Sequence, residues 1–289
     1  MRIIPTLVFS SAVVTGCAKH SATYEKGQAT GTAEQSATLY KEGLALWEGR
    51  DDAEKLEAAL AKFEAAYNAD PSNRDAATLL TRGWYFWGDV KTDVEEEKLN
   101  AWDTAVKWGG RCMATNNEFT QLLKKGDETE RSAVRVMTAE DAGCLYWTAS
   151  ALGKWAKIKG FATLLKHKDT VKTYIAKVEE VDQDFYYAGP DRYFGAYYSV
   201  APSFAGGDLD KSQARFDKSI DAQPGYLGTK VLKAQYYATK RQDSALFDKL
   251  IEEVLSADPD AIPEIGPENR AEQAKAKSLK AKKSDFFAK

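Results

Sequence analysis

Between Tyr193 and Pro259 apolar side chains return every three or four residues, and this rhythm limits the fold more than any other feature of the chain. Phe194, Tyr197, Tyr198 and Ala201 share one face of a helix; so do Leu227, Val231, Ala234 and Ala238, and then Phe247, Leu250, Ile251 and Val254. Gly206-Gly207 stops one helix and Asp208 is placed to cap the next. Each hairpin closes at a proline, Pro224 and then Pro259. One hairpin cannot bury such faces alone, whereas stacked neighbours can. The pattern predicts an all-α array of helical hairpins.

Earlier segments repeat the theme. Ala59, Phe63, Ala66 and Pro71 have the second-helix spacing of a tetratricopeptide unit, with small alanines for close approach and a ring to fill the gap. Tyr40, Leu44 and Trp47 supply the partner face of that first hairpin, over about 36–71. The Gly49-Asp52 turn makes the unit longer than the regular repeat, so the array is tetratricopeptide-like. A second hairpin follows over about 73–108, with Trp102 and Ala105 at the matching positions. Residues 109–138 break the rhythm with Gly, Asn and charge clusters and read as an irregular insertion. Thr138 and Asp141 then form a capping box, opening a helix with Cys144, Thr148, Leu152 and Trp155 on one side. A helix over about 168–182 turns Val171, Ile175 and Val178 inward. After Pro259 a lysine- and alanine-rich stretch, 268–287, reads as a closing, capping helix.

The amino terminus reads differently. A positive start, a short apolar run from Leu7 to Val14, and then Val14-Thr15-Gly16-Cys17 describe a signal peptide whose apolar core is too short to span a bilayer. The last four residues resemble a bacterial lipobox. That resemblance implies cleavage after Gly16 and acylation of Cys17, hence a lipid anchor in a bacterial cell envelope. Residue Ala18 is not the aspartate that retains such proteins at the inner membrane, which favours the outer membrane with the body facing the periplasm. The expected division is a signal peptide over 1–16, a flexible polar tether over 17–35, and a helical domain over 36–289. Once Cys17 is spent, Cys112 and Cys144 remain, an even pair in an oxidising compartment and so a disulfide. The alternative is two buried thiols that never meet.

Catalytic equipment is missing from the sequence. His20 lies in the tether and His167 stands alone between lysines. No zincin, serine-hydrolase, Walker or dinucleotide motif occurs, and no Cys/His cluster has metal spacing. Glu95-Glu97 and Glu179-Glu180 read as charged helix faces, and Asp208 as a cap in preference to a calcium ligand. The C-terminal lysines (Lys275, Lys277, Lys280, Lys282, Lys283) read as a solvated face, and a net charge of −3 gives no reason to expect nucleic acid. The reading is therefore not an enzyme, with no metal and no cofactor. What stands out is aromatic content: 7 Trp, 14 Tyr and 12 Phe, clustered at 84–87, 146–147, 185–187 and 193–198. Rings pack helices together, and they also line cavities for apolar solutes. Trp84, Trp147, Tyr197 and Tyr198 are the candidate ligand-binding residues.

Several stretches resemble one family. These are G-A-Y-Y with the following Pro202 and G-G-D, then G-Y-L-G-T-K-V-L-K-A-Q-Y-Y-A, Q-D-S-A-L-F-D-K-L and A-D-P-D-A. Ala149–Gly153 and Ala188–Arg192 are fainter echoes. The ordered set resembles the TatT-like T component of tetratricopeptide-associated TRAP transporters, lipoproteins of the tripartite ATP-independent periplasmic systems. The likeness runs from about Thr38 to about Phe287 and is densest after Tyr186. It implies a homotrimer with a cleft or pore in each protomer. It also implies a TRAP solute-binding protein as partner and an apolar or organic-acid solute bound or relayed. Two rivals differ in class. A scaffold lipoprotein for envelope assembly would present an open polar groove and take no small ligand, and a hydrolase would need an acid/base pair the sequence lacks.

Overall fold

The computed structural model describes residues 24–126 and 128–287, all helices, turns and loops with no strand among them. The signal peptide and the lipobox residues Val14, Thr15, Gly16 and Cys17 lie outside the described residues. The helices are α1 (Ala33–Trp47), α2 (Ala53–Ala69), α3 (Arg74–Phe86), α4 (Glu95–Met113), α5 (Asn117–Lys124), α6 (Glu130–Ala133) and α7 (Ala142–Lys159). Then come α8 (Phe161–Val181), α9 (Phe185–Val200), α10 (Leu209–Ala222), α11 (Leu227–Leu232), α12 (Thr239–Arg241), α13 (Ser244–Ser256) and α14 (Gly266–Ala281). Consecutive helices pack as hairpins: α1 on α2, α3 on α4, α7 on α8, α9 on α10. The last helix, α14, closes the array against α11 and α13.

The repeat signature is the heart of the first hairpin. Ala59, Phe63 and Ala66 are all fully buried. The partner face differs from the expected one, because α1 buries Ser36, Gly43 and Trp47 and leaves Leu44 at the surface. Gly43 sits so close to Phe63 that a Cβ there would lie 2.6 Å from the ring. Close backbone approach thus rotates α1 off the apolar stripe that leucine counting picks out. Within the span 17–35 expected as a tether, the described residues are placed on the body: the Tyr24 ring packs edge-on to Phe119, its hydroxyl meets that of Tyr174 at 3.0 Å, and α1 starts at a Thr32/Gln35 capping box.

Two further expectations shift. Helix α4 runs through Gly109-Gly110 to Met113, because Gly109 packs against Thr148 of α7 where any side chain would collide. Irregular chain begins only after it, carrying α5, α6 and the Thr138/Asp141 capping box. Helix α8 starts at Phe161, seven residues before the expected boundary near 168. A disulfide joins Cys112 of α4 to Cys144 of α7. Faces read from periodicity are inward: Val171, Ile175 and Val178 of α8, Leu227, Val231, Ala234 and Ala238, and Phe247, Leu250, Ile251 and Val254 of α13.

Three places depart from regular helix. α3 ends in a π turn, Trp87–Lys91, and α11 runs into a second, Lys233–Ala238. The start of α9 is left-handed over Tyr186, Tyr187 and Ala188, with φ of 46°, 58° and 54°. Left-handed backbone costs a residue with a Cβ roughly 1–2 kcal/mol. Such departures gather where function constrains the backbone.

Candidate functional site

All three irregularities border one cavity of ≈ 340 Å³, the size that holds a small organic molecule. Buried apolar residues form two clusters, one running from Trp47 to Phe194 and one from Leu227 to Leu279. The cavity takes its walls from both, with α3, α7, α8 and α9 on one side and α11, its π turn and α14 on the other. Its wall mixes aromatic rings with charged side chains. Trp147 meets Tyr186 edge-on at 4.5 Å between centroids, Tyr186 meets Tyr226 at 5.6 Å, and Tyr226 stacks on Tyr187. Gly189 lets this wall close: a Cβ there would lie 2.7 Å from the Tyr146 ring.

Charges are set into the rings. Arg82 of α3 lies 5.2 Å from the Trp147 ring centroid and 4.7 Å from that of Tyr186, and donates to the Tyr186 hydroxyl and to Glu268 of α14. Glu268 also receives Arg50, from the turn after α1, through Nε at 3.0 Å and through Nη2. Burial alone would raise the pKa of Glu268; the two guanidinium groups overcome that and hold it below its usual range. Asp89, carried by the first π turn, receives Lys154 of α7 and Lys275 of α14, and Lys275 also bonds Glu272. Burial again opposes the charge on Asp89, and the two ammonium groups again win, lowering its pKa. Lys275 therefore belongs to the cavity wall and not to the solvated face expected of the C-terminal lysines.

Arg192 differs from the others. It is 4 % exposed, and its partners are the carbonyls of Tyr186 and Tyr187, the Tyr146 hydroxyl and the face of Tyr226 at 4.1 Å. These bonds to two successive carbonyls brace the left-handed start of α9.

Of the four rings expected to bind ligand, Trp147 and Tyr197 line the cavity. Trp84 packs beside Trp87, 6.1 Å away, and Tyr198 stacks on Phe194, so neither reaches it. Tyr85, Tyr146 and Tyr186, from the aromatic clusters at 84–87, 146–147 and 185–187, line the cavity without having been singled out, and Tyr226 and the charged groups lie outside those clusters. One signal was available: Arg82 and Asp89 flank the aromatic run Trp84–Trp87, and Arg192 falls within Tyr186–Tyr193, where a helix face should be apolar.

No group of three or more metal-ligating side chains occurs among the described residues, and none of their helices is long and apolar enough to cross a membrane. A family model described as TRAP transporter T-component matches residues 97–287. The match takes in the cavity walls from α4 onward but not Arg82, Tyr85 or Asp89. No curated protein matches the chain.

Proposed function

The chain belongs to the TRAP transporter T-component family, and from that premise we propose that the cavity holds the transported solute while it passes to or from a TRAP solute-binding protein. The family makes this an accessory of a transport system in the cell envelope. The cavity carries the rest of the reading: a ring-walled chamber of ≈ 340 Å³ suits an apolar or organic-acid solute. A scaffold would be served by an open polar groove, so the enclosure by Trp147, Tyr186 and Tyr226 supports the transport reading over that rival.

Around the mouth, apolar surface is left in the open. Phe161 at 54 %, Val200 at 39 % and Phe204 at 81 % are three of the five large apolar residues exposed among the described residues. Phe161 and Val200 line the cavity itself, so a partner seated here would cover its entrance. We assign this rim to the solute-binding protein. The anchor at Cys17, a periplasm-facing orientation from the outer membrane, and a homotrimer complete the proposal.

Native mass spectrometry of residues 23–289, purified without delipidation, tests it together with capture of the solute-binding protein. The expected result is a trimer carrying a small acid or lipid of defined mass. A ligand-free monomer that also fails to capture that partner overturns the reading.

A further inference from the structure

The charges in the cavity wall do not balance. Six of its residues are basic (Arg82, Lys154, Lys157, Lys168, Arg192 and Lys275) and three are acidic (Asp89, Glu268 and Glu272), in a chain whose net charge is −3. The acids are already committed. Asp89 holds Lys154 and Lys275, Glu272 holds Lys275, and Glu268 is shared between Arg82 and Arg50. Lys168 pairs with Asp169, and Lys157 reaches the Tyr236 hydroxyl near the mouth. That leaves Arg192, the most buried cation of the wall, with no carboxylate partner among the described residues.

A buried cation is costly unless another charge compensates it, and hydrogen bonds to neutral groups do so only in part. Arg192 also has donors to spare. A guanidinium offers five N–H bonds; the Tyr186 and Tyr187 carbonyls and the Tyr146 hydroxyl take three, leaving Nε–H and one hydrogen on Nη1. Across the Tyr186 ring, which both guanidinium groups face, the Nε of Arg82 is buried with no hydrogen-bond partner. Three unfilled N–H donors, two on Arg192 and one on Arg82, and one uncompensated charge thus flank the same ring.

We propose that Arg192, assisted by Arg82, is an anion subsite that receives the single carboxylate of an amphiphilic acid, whose apolar body lies against the Trp147, Tyr186 and Tyr197 side of the cavity. This rests on the reading of the cavity as a solute site and narrows it. One buried cation without a carboxylate suits a monoanion, and the ring-lined remainder of the chamber suits an uncharged body. A diacid would have to bury its second carboxylate among rings, and neutral alcohols or esters would leave Arg192 uncompensated.

Isothermal titration of the purified full-length protein with 4-phenylbutyrate, 4-phenylbutan-1-ol and methyl 4-phenylbutyrate tests the assignment. The three probes share one apolar body and differ in the head group. The expected result is that the acid binds about 10- to 100-fold more tightly than alcohol or ester, the range of one hydrogen bond to a charged group. Arg192→Met should erase that preference, bringing acid, alcohol and ester to similar affinity. Because Arg192 also braces the left-handed turn, Arg192→Lys is the second variant. It keeps the charge without the planar fork, and should lower acid affinity alone. Equal binding of acid and alcohol overturns the anion subsite and leaves the cavity reading intact. Binding of none of the three overturns both. An acid preference that persists in Arg192→Met assigns the anion elsewhere and overturns the proposal.

Discussion

Glu268→Gln is the substitution that reads the closure of the array most directly. The carboxylate receives Arg50 through both of its oxygens and Arg82 at 2.8 Å, with side-chain exposures of 9 % for Glu268, 3 % for Arg50 and 16 % for Arg82. Glutamine keeps the shape and one acceptor oxygen. It removes the negative charge and sets an amide N–H₂ against the donors of Arg50, so two buried guanidinium groups lose their shared counter-charge. Removing one member of a buried pair costs about 3–5 kcal/mol. Arg50 also donates to the carbonyls of Trp47 and Glu264, which softens the loss and places the expectation near the lower end, about 3 kcal/mol. For a chain of this size roughly 2–4 °C of melting temperature accompanies each kcal/mol, so thermal unfolding followed by far-ultraviolet circular dichroism should show a fall of about 6–12 °C. Replacing Arg50 and Glu268 together by methionine should recover part of it, since apolar residues of similar volume tolerate burial without counter-charge. A fall below about 2 °C for Glu268→Gln would refute the account, because the three charges would then not depend on one another.

The pH dependence follows from the same residue. Its folded pKa lies below the ordinary 4.5, so its stabilisation is complete above that value and is lost as pH falls through the depressed folded value. The melting-temperature gap between the wild type and Glu268→Gln should accordingly be widest at neutral pH and shrink in acid. Phe63→Ala, at a fully buried ring between α1 and α2, should cost about 3–5 kcal/mol in urea denaturation, with little change if that hairpin were loosely packed. Cys112 and Cys144 lie 32 residues apart, so reducing their disulfide should lower stability by about 3–4 kcal/mol in the chain-entropy account; an unchanged denaturation midpoint under reductant would contradict it. Gly109→Ala puts a Cβ 1.8 Å from the Thr148 hydroxyl oxygen and should destabilise by about 1–3 kcal/mol, recoverable with Thr148→Gly.

How far the sequence discloses the fold depends on the scale of the cue. Helices with a clean apolar stripe, such as α13 with Phe247, Leu250, Ile251 and Val254, are legible because burial imposes the period directly. The Asp208 cap and the Thr138/Asp141 box are legible because they satisfy backbone groups within a few residues. Leu44 misleads because the orientation of α1 is set by Gly43 against Phe63, a contact between helices that no single stripe encodes. The cavity is harder still. Trp147 and Trp84 look alike in sequence, and only the packing of α3 on α7 decides which of them faces the chamber. The charged groups escape for the same reason, since Glu268 and Arg50 are 218 residues apart and Lys275 and Asp89 are 186 apart.

Those long-range pairs join the two extremities of the array. Arg50 and Asp51, in the first hairpin's turn, are tied to Glu268 and Arg270 of the final helix. An open stack of repeats frays from its ends and tolerates the removal of a terminal unit, since each repeat answers only to its neighbours. Here the first and last units brace each other, so the chain behaves as a hoop and not as a column. Deleting α14 would unseat the first hairpin across the ring, and unfolding should proceed as a single event instead of unzipping from one end. A closed hoop also holds its bore at a fixed width, which a column free to flex could not do for the chamber at its centre.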